Sequence, residues 1–269
     1  MDIQWSLVLF TALTGLGGML FLLICLNTLL GKTDKGEFEG AIVSVVLLAV
    51  GGLASVTHLS HPDRMLNALQ HPTSGIFTEA VLVGVLAVCA VIFILMIKRD
   101  IRGGALKAIS VVGIILGILM AFMAGQSYLM AAIPAWNTEL LPLGYLGTAA
   151  AEGAAAYLLL IGCKKADEAA LKFYSVILLV AGCLALITSA LYAAVCGAFA
   201  DPLAAALAAC SLVCGGVAPA LFGYVGMKKP LSVKTLAAIA LVCAFAGAIS
   251  YRCLMWAVGV NLYGFFGLL

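Results

Sequence analysis

Charge is scarce in this chain. Only 10% of its 269 residues are Asp, Glu, Lys or Arg, against 65% hydrophobic, and the mean hydropathy is +1.20. A soluble core could not hide that much apolar surface, so a soluble globular domain is excluded. Histidine is scarcer still: His58, His61 and His71 are the whole complement, and all three fall in one short stretch. A haem held between facing helices needs axial ligands on separate segments, so bis-histidine haem inside this chain is excluded. A nucleotide-binding glycine loop and an H-E-x-x-H zinc motif are also missing. Cysteine is not rare, but no C-x-x-C pair occurs among Cys25, Cys89, Cys163, Cys183, Cys196, Cys210, Cys214, Cys243 and Cys253. All nine lie inside or at the ends of apolar runs, which reads as small apolar packing residues rather than a disulfide framework, a metal site or an iron-sulfur set. No metal ligand set is expected in this chain.

What is present is length in apolar runs. Eight are expected to be helices, at residues 6–30, 40–60, 76–98, 106–131, 141–163, 171–196, 203–227 and 235–260. Each suffices to cross a hydrocarbon core of about 30 Å, which takes roughly 20 helical residues. Ten-residue alternating stretches are lacking, which argues against a barrel. The fold class is therefore an all-α integral membrane protein, an eight-helix transmembrane bundle forming a single domain over residues 1–269. The first residues carry no positively charged leader, so the first run is expected to be retained as a helix. Paired small residues, such as Gly113 with Gly117 and Gly215 with Gly216, allow close helix approach. Pro219 is expected to kink or break the seventh helix, in a packing role.

The basic residues are sorted rather than pooled, so no nucleic-acid surface is expected. Twelve of the 14 sit in the loops after helices one, three, five and seven; Arg64 and Arg252 are the others. By the positive-inside rule both termini face the outer, periplasmic side. Trp5, Trp136 and Trp256 fall near the same outer ends, where headgroup level suits an amphipathic ring.

Polar groups within such helices are costly, about 2.5 kcal/mol or more for a charge at mid-depth. Glu79 opens the third helix, and His58 closes the second at the same level. A helix-start carboxylate and a hydrogen-bonded interfacial histidine are the ordinary readings of each residue alone. Together they place an imidazole and a carboxylate at one depth, a pair able to handle protons near neutral pH. Arg252 lies inside the eighth helix and needs a partner; Glu79, or Glu152 in the fifth helix, would serve, or the side chain could snorkel outward. Gln126 and Tyr128, read as the end of the fourth helix, could complete an outer polar pocket.

The stretch His58-Leu59-Ser60-His61-Pro62-Asp63-Arg64-Met65-Leu66-Asn67-Ala68-Leu69, with Glu79 following, resembles the membrane anchor subunits of anaerobic dimethyl sulfoxide reductases, the DmsC type. Those show H-L-x-x-P-x-R-x-x-N-x-L after the second helix and a carboxylate opening the third. Pro134-Ala135-Trp136 with Pro142-Leu143-Gly144 resembles an outer loop of that family, and Gly247 to Arg252 its last helix, so the resemblance covers essentially the whole chain. It implies a haem-free, multi-pass subunit of the bacterial cytoplasmic (inner) membrane that oxidises menaquinol. The expected partners are an iron-sulfur electron-transfer subunit and a molybdopterin catalytic subunit in a heterotrimer, those cofactors residing in the partner subunits. It also implies that His58 and Glu79 act at the quinol site with Arg64 beside them; Arg252, Gln126 and Tyr128 are further quinol-binding candidates. His61 and Asp63 occupy variable positions of the motif, and Glu152 has no counterpart in the family pattern. Two other classes fit the composition: a secondary transporter, which would show inverted repeats and broken helices at mid-depth, and a purely structural anchor without a quinol site.

Overall fold

The computed structural model describes residues 2–57 and 75–260. All regular secondary structure among them is helical: α1 (Trp5–Leu30), α2 (Glu37–Val56), α3 (Gly75–Lys98), α4 (Gly104–Gln126), α5 (Leu140–Cys163), α6 (Glu168–Val195), α7 (Pro202–Cys210), α8 (Ala218–Lys228) and α9 (Val233–Ala257). A π-helical segment, Ser211–Val217, joins α7 to α8, so that Pro202–Lys228 makes one span. Among the described residues eight helices are then long and apolar enough to cross a membrane, the number expected. Within lipid each backbone N–H and C=O must be satisfied in its own segment, which is why apolar runs of this length become helices.

Two helices form the centre. In the most apolar window of α1, 78% of residues are buried, and in that of α5 61%, against 22% in α3. α1 packs on α2, α4 and α5, while α5 packs on α6, α9, α1 and α4. The reason is composition: the central helices carry Gly and Ala on several sides, so neighbours approach from every direction. α3 is nearly uniform in bulky aliphatic residues, and many of them, such as Val85, Val88 and Leu95, face outward as lipid-facing positions do.

Short turns set the pairing. Gly31 ends α1 in the left-handed region at φ 61° and returns its N–H to Asn27 O at 2.7 Å; a side chain there would meet the steric penalty glycine avoids. Asp167 caps α6 by accepting from Ala170 N at 2.7 Å, which starts that helix at Glu168 rather than at residue 171. Asp201 caps α7 in the same way, with Pro202 in its first turn, the position where proline's missing N–H is harmless.

Two departures from the expected spans bear on the site. α4 stops at Gln126 and not at 131: Ser127, Tyr128 and Leu129 turn back their N–H groups onto Met123, Gly125 and Gln126, and a tight loop containing Pro134 follows. Tyr128 is thus a turn residue beyond α4. The seventh span is not broken at Pro219: it stays helical from Pro202 to Lys228. Pro219 cannot donate to the carbonyl four residues earlier and its ring would crowd it; the wide π turn just before it absorbs both effects while the chain stays helical.

Candidate functional site

The lysine-rich loops gather at one end of the bundle and the turn 127–138 lies at the other. At that second end Glu79, in the first turns of α3, is buried at 9% exposure. Ser127 Oγ donates to Glu79 Oε1 at 2.5 Å, a short hydrogen bond of the kind a carboxylate oxygen accepts from a hydroxyl. The end of α4 therefore presents the first residue of its turn to the first turns of α3, which it packs against. Gln126, one residue earlier, has a buried Oε1 with no hydrogen-bond partner among the described groups.

Next to this pair stands an aromatic cluster. Tyr128 lies edge-on to Trp136 and Trp256, with ring centroids 5.9 and 6.0 Å away, and 6.1 Å from Tyr145. Trp136 donates its indole N–H to Met255 O at 2.7 Å. Trp136 and Trp256 are buried within this end of the bundle, while Trp5 is exposed. Tyr192 donates to the carbonyl of Ala135 at 3.2 Å, fastening the loop 127–139 to α6, and Tyr251 donates to that of Leu141 at 3.1 Å, tying the start of α5 to α9.

Arg252 sits beneath the cluster with 1% of its surface exposed. Its Nε donates to Thr11 Oγ1 at 2.9 Å, Nη1 to Ala248 O at 2.9 Å and Nη2 to Thr11 O at 3.0 Å. The guanidinium lies over the Tyr145 ring, 4.7 Å from its centroid. This corrects the expectation for Arg252: it forms no ion pair with Glu79, Glu152 or any other described carboxylate, and it does not snorkel. Carbonyls, a hydroxyl and an aromatic face spread its charge, which avoids burying a second ion.

Glu79, Gln126, Tyr128 and Arg252 are thus brought to one end of the molecule, with the Tyr145 ring between Tyr128 and the Arg252 guanidinium. His58 and Arg64, the other two candidates, lie outside the described residues. Ser127, Thr11 and Tyr145 were not singled out from the sequence. Ser127 had a signal, a hydroxyl where an apolar run ends at the depth of Glu79; Thr11, as a hydroxyl in a long apolar helix, had none.

The lysine-rich end holds a second polar knot that sequence reasoning passed over. Glu37 is buried at 6% exposure and accepts from Arg102 Nη1 at 2.9 Å, Thr28 Oγ1 at 3.0 Å and Asn27 Nδ2 at 3.2 Å. Tyr174 donates to Asn27 Oδ1 at 3.0 Å. The Glu37 carboxylate, by accepting that hydrogen bond, holds the Arg102 guanidinium further above its ordinary pKa. A cleft of about 370 Å³ opens beside it, lined by Thr33, Asp34, Arg102 and Lys107 among others. With each donor answered, this knot ties α1, α2 and α6 to the loop before α4.

Comparison with known proteins gives these observations a family. The sequence model of the DMSO reductase anchor subunit (DmsC) matches residues 1–265. The chain belongs to the DmsC family. Among curated relatives, the C subunit of the anaerobic dimethyl sulfoxide reductase of Haemophilus influenzae is 28% identical over 144 residues, which is 51% of this protein and 51% of that one. The chain thus spans about half the length of the curated relative it matches. The resemblance expected from the hairpin motif holds at the level of the family, and with its eight apolar helices the chain is a multi-pass membrane protein with the character of a membrane anchor.

Proposed function

We propose that this protein is the haem-free membrane anchor of an anaerobic, dimethyl sulfoxide reductase-like molybdopterin enzyme. In this reading it oxidises menaquinol and passes the electrons to an iron-sulfur partner subunit, in a heterotrimer with the molybdopterin subunit in the bacterial cytoplasmic membrane. The observation that carries it is the buried Glu79 carboxyl, held by Ser127 beside Tyr128 at the end opposite the lysine-rich loops. By the positive-inside rule that end is the periplasmic one, as are both termini.

The chemistry follows from the groups. A quinol releases two protons with its two electrons, so its site needs acceptors for protons and a route for electrons. Glu79 accepts a hydrogen bond from one ring hydroxyl and then its proton, with Ser127 fixing the carboxyl's orientation. His58 takes the corresponding role at the other hydroxyl, and Arg64 is the motif arginine that belongs to the same site in this reading. Gln126, whose buried amide oxygen is unpaired among described groups, is available to the ring. Tyr128 and the two tryptophans supply flat apolar walls for it, and Arg252 lends positive potential from below. Electrons leave to an iron-sulfur cluster of the partner docked on that end.

Membership in a reductase anchor family weighs against the transporter reading, and so does the seventh span, which remains helical through Pro219. The deciding experiment measures menaquinol oxidation in membranes containing the whole complex, wild type against His58→Ala and Glu79→Gln, with membrane retention of the partner subunits checked in parallel. Loss of oxidation with retained assembly supports a quinol site at this end. Unchanged oxidation makes the protein a structural anchor.

A further inference from the structure

The quinol reading leaves one ionisable group unused. Glu152, near the middle of α5, is fully buried, and neither carboxyl oxygen has a hydrogen-bond partner among the described groups. The surroundings are tight: a Cβ on the neighbouring Gly153 would stand 2.5 Å from Met19 Cβ, so α1 presses directly on this turn. An ionised carboxylate with no donor in such a place costs far more than the neutral acid. Glu152 therefore keeps its proton.

The direction of the side chain matters. Helical side chains lean toward the preceding turn, which sends the Glu152 carboxyl back over Thr148 and Ala149. Thr148 spends its hydroxyl hydrogen on Gly144 O and Tyr145 O and has none for the carboxyl. Arg252 comes to the same level from α9: its Nη2 lies 3.5 Å, and Ala149 Cβ 3.2 Å, from the point a Cβ on Gly15 would occupy. A guanidinium has five N–H donors, and among the described residues three hydrogen bonds engage this one. Arg252 is thus the charged side chain that reaches the Ala149 turn of α5, one turn before Glu152. The remaining charged residues on helices packed against α5, namely Lys107, Glu168, Lys172 and Lys234, sit in terminal turns at the lysine-rich end. The titratable groups on those helices are otherwise neutral ones, such as Cys25 of α1, Tyr174 and Tyr192 of α6, Tyr251 and Cys253 of α9, and Cys214 of the π segment.

We propose that Glu152 is an exchangeable proton site in the membrane interior, trading its proton with the polar cluster at the Glu79 end past Arg252. Only a proton moves. The Glu152 O–H bond breaks, the proton passes to a water on the Arg252 side, and the carboxylate left behind is balanced by the guanidinium; uptake is the reverse. Tyr145, seven residues before Glu152 on the same helix face and in contact with Arg252, connects this level to Tyr128 and Glu79. The inference does not require that a quinol binds.

The test is infrared spectroscopy of the intact complex in membranes, in H2O and in D2O, for wild type and Glu152→Gln. The expected result is a protonated-carboxyl C=O band that shifts down in D2O and is lost in the variant. No difference between the two proteins, or a band that D2O leaves in place, overturns the proposal, the latter marking a locked structural acid. Should Glu152→Gln not assemble, the wild type carries the test through dicyclohexylcarbodiimide, an apolar reagent that adds to protonated carboxyls. An adduct on Glu152 that declines as pH is raised, with none from a water-soluble carbodiimide, supports the proposal; no adduct at any pH overturns it.

Discussion

Two side chains show how a buried ionic group is made tolerable, and they do it differently. Glu79 keeps to the first turns of its helix, close to the end of the bundle, and takes a single strong donor from Ser127. Arg252 is deeper and divides its charge among Thr11, Ala248 O and the Tyr145 face. Replacing Glu79 by Gln keeps the shape and removes the base, and is expected to lower quinol oxidation about a hundredfold, the usual worth of a positioned general base. Quinol oxidation in membranes that retain the partner subunits checks it. Ser127→Ala leaves the base present but unoriented, so the same assay should show a smaller loss, about tenfold, since one charge-assisted hydrogen bond of about 1.5 to 3 kcal/mol is removed. An equal loss in both variants would mean that Ser127 itself meets the substrate.

At the scale of elements, the seventh span is the informative case. The π segment lets the helix pass Pro219, and it also brings the backbone of Gly215 against that of Gly247 on α9: a Cβ on Gly247 would stand 2.2 Å from Gly215 Cα. No rotamer can relieve a clash with backbone, so Gly247→Ala forces the two helices apart. A cost of about 1 to 3 kcal/mol is expected, the range for overpacking a filled interior, read as a lower unfolding midpoint in detergent. Because Arg252 lies on α9 just beyond Gly247, the shift should also disturb its hydrogen bonds to Thr11. The end of α4 makes the complementary point. Stopping at Gln126 is what turns Ser127 toward Glu79 and frees Tyr128 to enter the aromatic cluster; a helix continuing to residue 131 would have carried both away.

For the whole molecule the property to measure is orientation. Cys163 is exposed beside Lys164 at the lysine-rich end. In intact cells a membrane-impermeant maleimide should leave Cys163 unlabelled and should label it after permeabilisation, with the modified peptide identified by mass spectrometry. Labelling without permeabilisation would reverse the topology and place Glu79 on the inner side. The same end contains the Glu37 knot, which binds four parts of the bundle to one another. Arg102→Ala removes one of three donors to a buried carboxylate, and with Arg102 half exposed a loss of about 1 to 2 kcal/mol is expected. A thermal melt of the detergent-solubilised protein measures it.

Composition and run length by themselves determined the eight spans, because a helix in lipid must satisfy its own backbone and needs a set length to cross. They also singled out Glu79, Arg252 and Glu152, since any ionisable group in such a run stands out against the cost of placing it. Partners were another matter. The sequence offered Glu79 and Glu152 as counter-ions for Arg252, and charge alone could not choose between them or reject both. Only the packing of α1 against α5 and α9 decided that, by setting Thr11 and Tyr145 beside the guanidinium and leaving Glu152 without a donor. The Glu37 knot escaped for the same reason: its donors come from residues 27, 28 and 102, which have no relation in sequence until the helices pack.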